Sequence, residues 1–227
     1  MRSALSLDLR RAALLLIDIQ EEQRSDPLYA AAEINRVLGN AQVLLAAARQ
    51  HGVRVIHCAY RRDYMLCPPR PFEPRSAGGD ALFSASNSAL IAICQEVAPD
   101  PGEAVIYKND ASAFSEVSLA GDLRDRGIEW LVVAGVWTEA CVAATVRDAI
   151  VLGFRVLLVK DACGSGSAAM HQTAILNLAN RLYGGGIADT ARVLSIFAGG
   201  SSDVWQTDRP VPIRFDYADA THHYESL

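Results

Sequence analysis

No apolar run in this 227-residue chain approaches the roughly 18 to 20 residues that a membrane-spanning helix needs. The longest are short, such as residues 130–137. The five cysteines, at positions 58, 67, 94, 141 and 163, form no CxxC pair and no metal-knuckle spacing. Such an odd, scattered set argues against a disulfide framework or a zinc ribbon, and fits small buried thiols in a reducing compartment. A basic excess is also missing. With 21 Lys and Arg against 26 Asp and Glu, the net charge of −5 makes DNA, RNA and acidic membranes poor partners. The first residues, Met1 to Asp8, lack the continuous apolar core of a signal peptide, so a cytoplasmic protein is expected.

What is present is 51% apolar residues, enough for one domain to bury a sizeable core without a staple. Strand-like and helix-like segments alternate. Residues 12–17, Ala-Ala-Leu-Leu-Leu-Ile, read as a buried parallel strand, and the helical spacing over 28–50 stops before His51-Gly52. Strands follow at 53–59, 104–107, 130–135, 154–159 and 186–188. Helices are predicted at 86–97, 116–126, 138–152, 168–182 and 190–197, with Thr138 as an N-cap. The fold expected is α/β: a three-layer, doubly wound sandwich with a six-stranded, mainly parallel Rossmann-like sheet. Ligands of such folds bind at the carboxyl ends of the strands.

Two segments break the alternation. Residues 61–80, with four arginines and four prolines, read as a long ordered loop or lid. Residues 200–227 form an aromatic C-terminal arm that packs on the body or on a neighbouring subunit, leaving 1–199 as the main domain.

Three polar residues fall at or just beyond predicted strand ends: Asp18, Lys108 and Cys141. This fold brings such positions together. Near a helix start, backbone amides and the dipole favour a thiolate at Cys141, and a nearby Lys108 lowers its pKa further. A carboxylate at Asp18 suits the thiol-to-amine proton transfer of acyl chemistry. Read in isolation, Asp18 is a turn cap, Lys108 a solvated lysine and Cys141 a core thiol. Cys58, Cys67, Cys94 and Cys163 keep that plain reading, as do His57 and His171.

Four motifs lift these residues out of it: Leu-Leu-Leu-Ile-Asp-Ile-Gln (14–20), Val-Ile-Tyr-Lys-Asn-Asp-Ala-Ser-Ala-Phe (105–114), Gly-Val-Trp-Thr-Glu-Ala-Cys-Val (135–142) and Thr-Val-Arg-Asp-Ala (145–149). In order and spacing the chain resembles the isochorismatase-like cysteine hydrolase superfamily over roughly residues 11–198. The resemblance implies an Asp18-Lys108-Cys141 triad that cleaves the C–N bond of a small amide, carbamoyl or ureido compound through a thioester on Cys141. It also implies a cis peptide at Val136-Trp137, an oxyanion hole from the amides of Trp137 and Cys141, and a homodimer or homotetramer. The Asp-x-His metal motif of nicotinamidases is replaced by Tyr60-Arg61-Arg62-Asp63-Tyr64-Met65, so neither a metal nor another cofactor is expected. The residue after Gln20 is acidic, and the common aromatic a few positions on is absent. Trp137 is expected to line the substrate pocket, and Arg61 and Arg62 are candidates for holding a substrate carboxylate. The alternatives are vinyl-ether hydrolysis of the isochorismatase type and a catalytically silent binding protein on the same fold.

Overall fold

The computed structural model describes residues Met1–Leu227. The six apolar runs become six parallel strands: β2 (Ala12–Ile17), β3 (Arg54–Tyr60), β4 (Ala104–Lys108), β5 (Trp130–Val136), β6 (Arg155–Gly164) and β7 (Gly186–Ala188). Their order across the sheet is β7-β6-β5-β2-β3-β4, so the chain winds outward in opposite directions from the β2–β5 pair. The loops leaving these two strands diverge there, and that opening is where such sheets bind ligands.

Two antiparallel edge strands extend the sheet beyond β7, giving eight strands where six were expected: β8 (Ser202–Trp205) and outside it β1 (Arg2–Leu5). Both are four residues long, and β1 is almost wholly exposed, so neither carries the apolar run that marks a buried strand. The first residues of the C-terminal arm are therefore part of the central sheet.

Residues alternate between the two faces, and helices cover both. Leu15, Ile17, Leu131 and Val133 pack on one side beneath α3 (Ser118–Asp125), α4 (Ala143–Val151) and α5 (Ala168–Ala179). Leu14, Leu16, Val132 and Ala134 pack on the other beneath α2 (Ile34–Gln50) and α6 (Thr190–Phe197). This is why β2 and β5 read as unbroken apolar runs: every side chain in them is buried. The arm ends in α7 (Ala220–Ser226), whose Ala220 and the following Leu227 join the first of these cores.

The long helix starts at Ile34 rather than at residue 28, because Glu33 adopts a left-handed backbone (φ 54°) and breaks the turn before it. The expected helix over 86–97 is absent and is replaced by single 3-10 turns at Ala89–Ile91 and Gln95–Val97. Its backbone groups are taken sideways. Glu21 N–H donates to Ala92 O, Cys94 N–H to Ile19 O, and the Gln20 amide to Ile91 O, so this stretch runs alongside residues 19–21 instead of coiling.

Candidate active site

β2 ends at Ile17, and Asp18 follows in a left-handed conformation (φ 49°), its N–H donating to Cys58 O at 2.7 Å on β3. Aspartate tolerates this backbone better than most residues. Gln20 then locks the turn: its amide accepts from Tyr60 N–H at 2.8 Å and donates to Tyr60 O at 3.0 Å. The β2–β5 approach needs Gly135 (φ 134°), where a Cβ would lie 2.0 Å from Ile17 O. That contact sets the ends of the two strands, and hence Asp18 and the residues after Val136, side by side.

Lys108 is the last residue of β4, two strands away from β2. Its side chain passes 4.4 Å from the centre of the Tyr60 ring, and Nζ reaches Asp18 Oδ2 at 2.8 Å and Asp110 O at 3.2 Å. Neither member of this ion pair is more than 2% exposed. Burial pushes the Asp18 carboxyl up, against the pull of Lys108. Burial presses Lys108 down, but Asp18 and Cys141 together outweigh it and hold the ammonium above its ordinary value.

After β5 the Val136-Trp137 peptide is cis, and Thr138–Val142 form one wide π-type turn leading into α4. Cys141 sits on this turn, buried. Thr138 is not the N-cap expected of it: its hydroxyl donates to Gly164 O at 2.9 Å and meets His171 Nδ1 at 2.8 Å. The amides of Ala140 and Val142 bond to Trp137 O, whereas the Trp137 N–H donates to no protein acceptor. The Cys141 thiol is pushed up rather than down, first by burial and then by Asp18, with Lys108 opposing both. Desolvation and the adjacent carboxylate outweigh the helix-start effect, so the resting group is a thiol.

Asp18 and Cys141 border one cavity of about 240 Å³. Tyr29, Phe83 and Trp137 supply aromatic walls and Val136 and Ala140 further apolar surface, while Gln23 is the remaining polar residue. Phe83 stands edge-on to Tyr29 with ring centres 5.0 Å apart, and tilted to Tyr60 at 5.4 Å. The next residue, Ser84, is tied down by the buried Glu22, which accepts from Ser84 N–H at 2.9 Å and from its hydroxyl. Gln20 closes the first motif, and Gln23 lies in the segment after it, on the short helix α1 (Glu22–Ser25), where the missing aromatic is the only sequence signal. Tyr29 and Phe83 lie in loops and carried none.

Arg61 and Arg62 do not line this cavity. Arg61 lies over the Tyr107 ring, 4.3 Å from its centre, at the outer edge of β4. Arg62 is buried in a clamp with Glu73, at 2.6 and 2.7 Å, and donates to Cys67 O at 2.8 Å. That pairing holds Glu73 down to about 2. Arg62 thus holds the 61–80 loop together and Arg61 packs on β4, so neither borders the cavity that Cys141 lines. No three His, Cys, Asp or Glu side chains come together as a metal-ligating group.

An isochorismatase domain model matches residues 12–192. The chain belongs to the isochorismatase family. It is 33% identical to maleamate amidohydrolase of Pseudomonas putida over 77% of this chain and 82% of that one. It is 27% identical to nicotinamidase 3 of Arabidopsis thaliana over 74% and 80% respectively. A solved isochorismatase-family structure from Chromobacterium violaceum superposes with a TM-score of 0.72 at 30% identity, covering 88% of this chain and all of that one (100%). The family match ends at residue 192, short of β8 and α7.

Proposed function

We propose that this isochorismatase-family protein is a cysteine-dependent amidohydrolase that releases ammonia or an amine from a small amide, carbamoyl or ureido compound. The observation that carries the reading is the Asp18–Lys108 ion pair, buried at the end of a cavity that Cys141 also borders. The amide-hydrolysing relatives support the same bond type.

In this reading Asp18 takes the thiol proton as the Cys141 sulfur attacks the substrate carbonyl carbon. Lys108 keeps the buried carboxylate ionised and so able to act as the base. The oxygen that gains charge is held by the N–H groups of Trp137 and Cys141, the first of which has no protein acceptor to give up. Asp18 returns its proton to the departing nitrogen, the C–N bond breaks, and an acyl thioester remains on Cys141. Water then attacks the thioester while Asp18 accepts one of its protons. The acid leaves, and the proton goes back to sulfur. The net reaction consumes one water per amide bond.

Action in the cytoplasm and assembly as a homodimer or homotetramer belong to the same reading. The test is a screen of small primary amides and ureides for ammonia release, followed by intact-mass detection of an acyl adduct. The expected result is turnover, with an adduct that disappears in Cys141→Ala. Full turnover by Cys141→Ala would overturn the cysteine mechanism.

A further inference from the structure

Three side chains outside the cavity join the C-terminal arm to the turn that carries Cys141. Tyr224, on α7, places its hydroxyl 3.1 Å from His171 Nε2 on α5; His171 Nδ1 lies 2.8 Å from Thr138 Oγ1, and the Thr138 hydroxyl lies 2.9 Å from Gly164 O at the end of β6. Thr138 opens the turn, next to the Trp137 N–H and one turn ahead of Cys141, and is wholly buried. None of the three borders the cavity that Cys141 lines, so the proposed reaction leaves them without a part.

The direction of each bond is fixed by the protons available. Gly164 O can only accept, so the single Thr138 hydroxyl proton goes there; the opposite assignment would set two oxygens 2.9 Å apart with no proton between them. Thr138 Oγ1 therefore accepts from His171, whose Nδ1 carries the ring proton. Burial keeps His171 neutral, its pKa lowered to about 4, so Nε2 presents a lone pair and the Tyr224 hydroxyl donates to it. Tyr224 is itself held in place: the buried Lys160 donates to its carbonyl at 2.9 Å and lies 4.7 Å from the centre of its ring, and the His171 ring stands edge-on to it at 5.4 Å. Further back, the Asn180 side chain accepts from Ile213 N–H and donates to Ile213 O, both at 2.9 Å, and pins the arm to the end of α5.

We infer that Tyr224 is a positioning residue for the reaction: through His171 and Thr138 it fixes where the turn holds the Trp137 and Cys141 amides, so the C-terminal arm completes the active site without touching it. Without the phenol, nothing keeps the imidazole proton on Nδ1. A ring that moves it to Nε2 turns Nδ1 into an acceptor, which competes with Gly164 O for the Thr138 proton and loosens the first residue of the turn from β6. The same two amides hold the charged oxygen while the thioester forms and while it is hydrolysed, so a displaced turn slows both steps alike. The inference rests on the amidohydrolase reading and adds to it a residue from beyond position 192, where the family match ends.

The test sets Tyr224→Phe beside Thr221→Val, which removes the other side-chain hydrogen bond between α7 and α5, from Thr221 Oγ1 to Gln172 Oε1 at 2.9 Å, and leaves the Tyr224-His171-Thr138 chain whole. With an amide that the wild type cleaves, kcat in Tyr224→Phe should fall at least about tenfold while KM stays within about twofold, because the residue meets no substrate. Thr221→Val should keep both constants within about twofold of the wild type. Adding Tyr224→Phe to His171→Leu should lower kcat no further, since the two act in series. In 15N spectra of the wild type at pH 7 the His171 ring should carry its proton on Nδ1. A kcat loss in Tyr224→Phe no larger than in Thr221→Val, a change confined to KM, a second full loss on top of His171→Leu, or a proton on Nε2 overturns the inference and leaves the amidohydrolase reading standing. If His171→Leu is insoluble, the Tyr224→Phe comparison and the 15N spectra decide. Failure of the amidohydrolase reading looks different, and takes the inference with it: the wild type releases no ammonia from any amide and carries no adduct on Cys141.

Discussion

Replacing Lys108 by methionine leaves the Asp18 carboxylate buried with no counter-charge, and the size of the penalty can be worked from the burial. Asp18 is 2% exposed and its Nζ partner lies 2.8 Å away in the wild type, so little water can take the ammonium's place. Burial already pushes Asp18 upward with Lys108 present, and losing the lysine removes the main opposing pull. In Lys108→Met the carboxyl is therefore expected to be protonated in the folded state at neutral pH. An unfolded Asp titrates near 3.9 and each pH unit is worth about 1.4 kcal/mol, so holding that proton at pH 7 costs about 4 kcal/mol. The figure agrees with the roughly 3–5 kcal/mol for breaking a buried ion pair. The sign follows from the raised folded-state value: the folded form binds one more proton, so the variant's stability is fully present below about pH 4 and declines by about 1.4 kcal/mol per unit above it. Urea unfolding of wild type and Lys108→Met at half-unit steps from pH 4.5 to 8 measures this. The gap should widen with pH once the wild-type carboxyl, itself raised, has ionised while that of the variant has not, and Asp18→Asn/Lys108→Met should recover much of it. A gap that is small at pH 7, or constant across the series, would refute the buried-pair account.

Asp18→Asn should speed alkylation of Cys141 by iodoacetamide at pH 8 several-fold while abolishing turnover, because the carboxylate raises the thiol's pKa and the remaining Lys108 lowers it; mass-resolved labelling rates check this, and slower labelling would contradict it. Gly135→Ala forces a Cβ into Ile17 O and should cost at least about 3 kcal/mol or prevent folding, read from urea midpoints or soluble yield. Tyr224→Phe removes the hydroxyl that lies 3.1 Å from His171 Nε2, which burial keeps neutral with a pKa lowered to about 4. It should cost about 1 kcal/mol in urea unfolding, with no pH dependence between 6 and 8.

What could be read in advance follows from where information is local. Most of the parallel strands are legible because they are buried on both faces, which requires an apolar run of strand length with a stop at each end, while β4 at the sheet edge is only partly buried and is a shorter, weaker run. Asp18, Lys108 and Cys141 are legible because strand ends converge in this topology, and the family motifs supply their order. The two edge strands pair outside β7 and bury little, so pattern alone does not mark them. The helix expected over 86–97 has helical composition, but its backbone hydrogen bonds go to residues 19–21, a competition between segments some 70 positions apart. Arg62 illustrates the same limit. An arginine in a loop beside a strand end has the chemistry to hold a carboxylate, and it does hold one, that of Glu73 eleven residues on.

The state of the thiol was the least legible property of all, since a helix start and a neighbouring lysine both argue for a thiolate. The outcome depends on desolvation, a property of the surrounding packing and not of any motif. Lys108 is drawn so close to Asp18 that its charge serves the carboxylate first, and Cys141 meets the pair as a whole, with Asp18 raising its pKa more than Lys108 lowers it. For the proposed reaction this division of labour is the useful one. A permanently ionised sulfur would leave Asp18 nothing to accept, and no proton for the departing nitrogen. A neutral thiol beside an ionised carboxylate stores that one proton where it can move to Asp18 as the carbonyl is attacked and on to nitrogen as the C–N bond breaks. The lysine's contribution is then to hold the carboxylate charged in a dry site. It follows that substituting Lys108 should suppress kcat by removing the base, even with an amide bound and Cys141 intact.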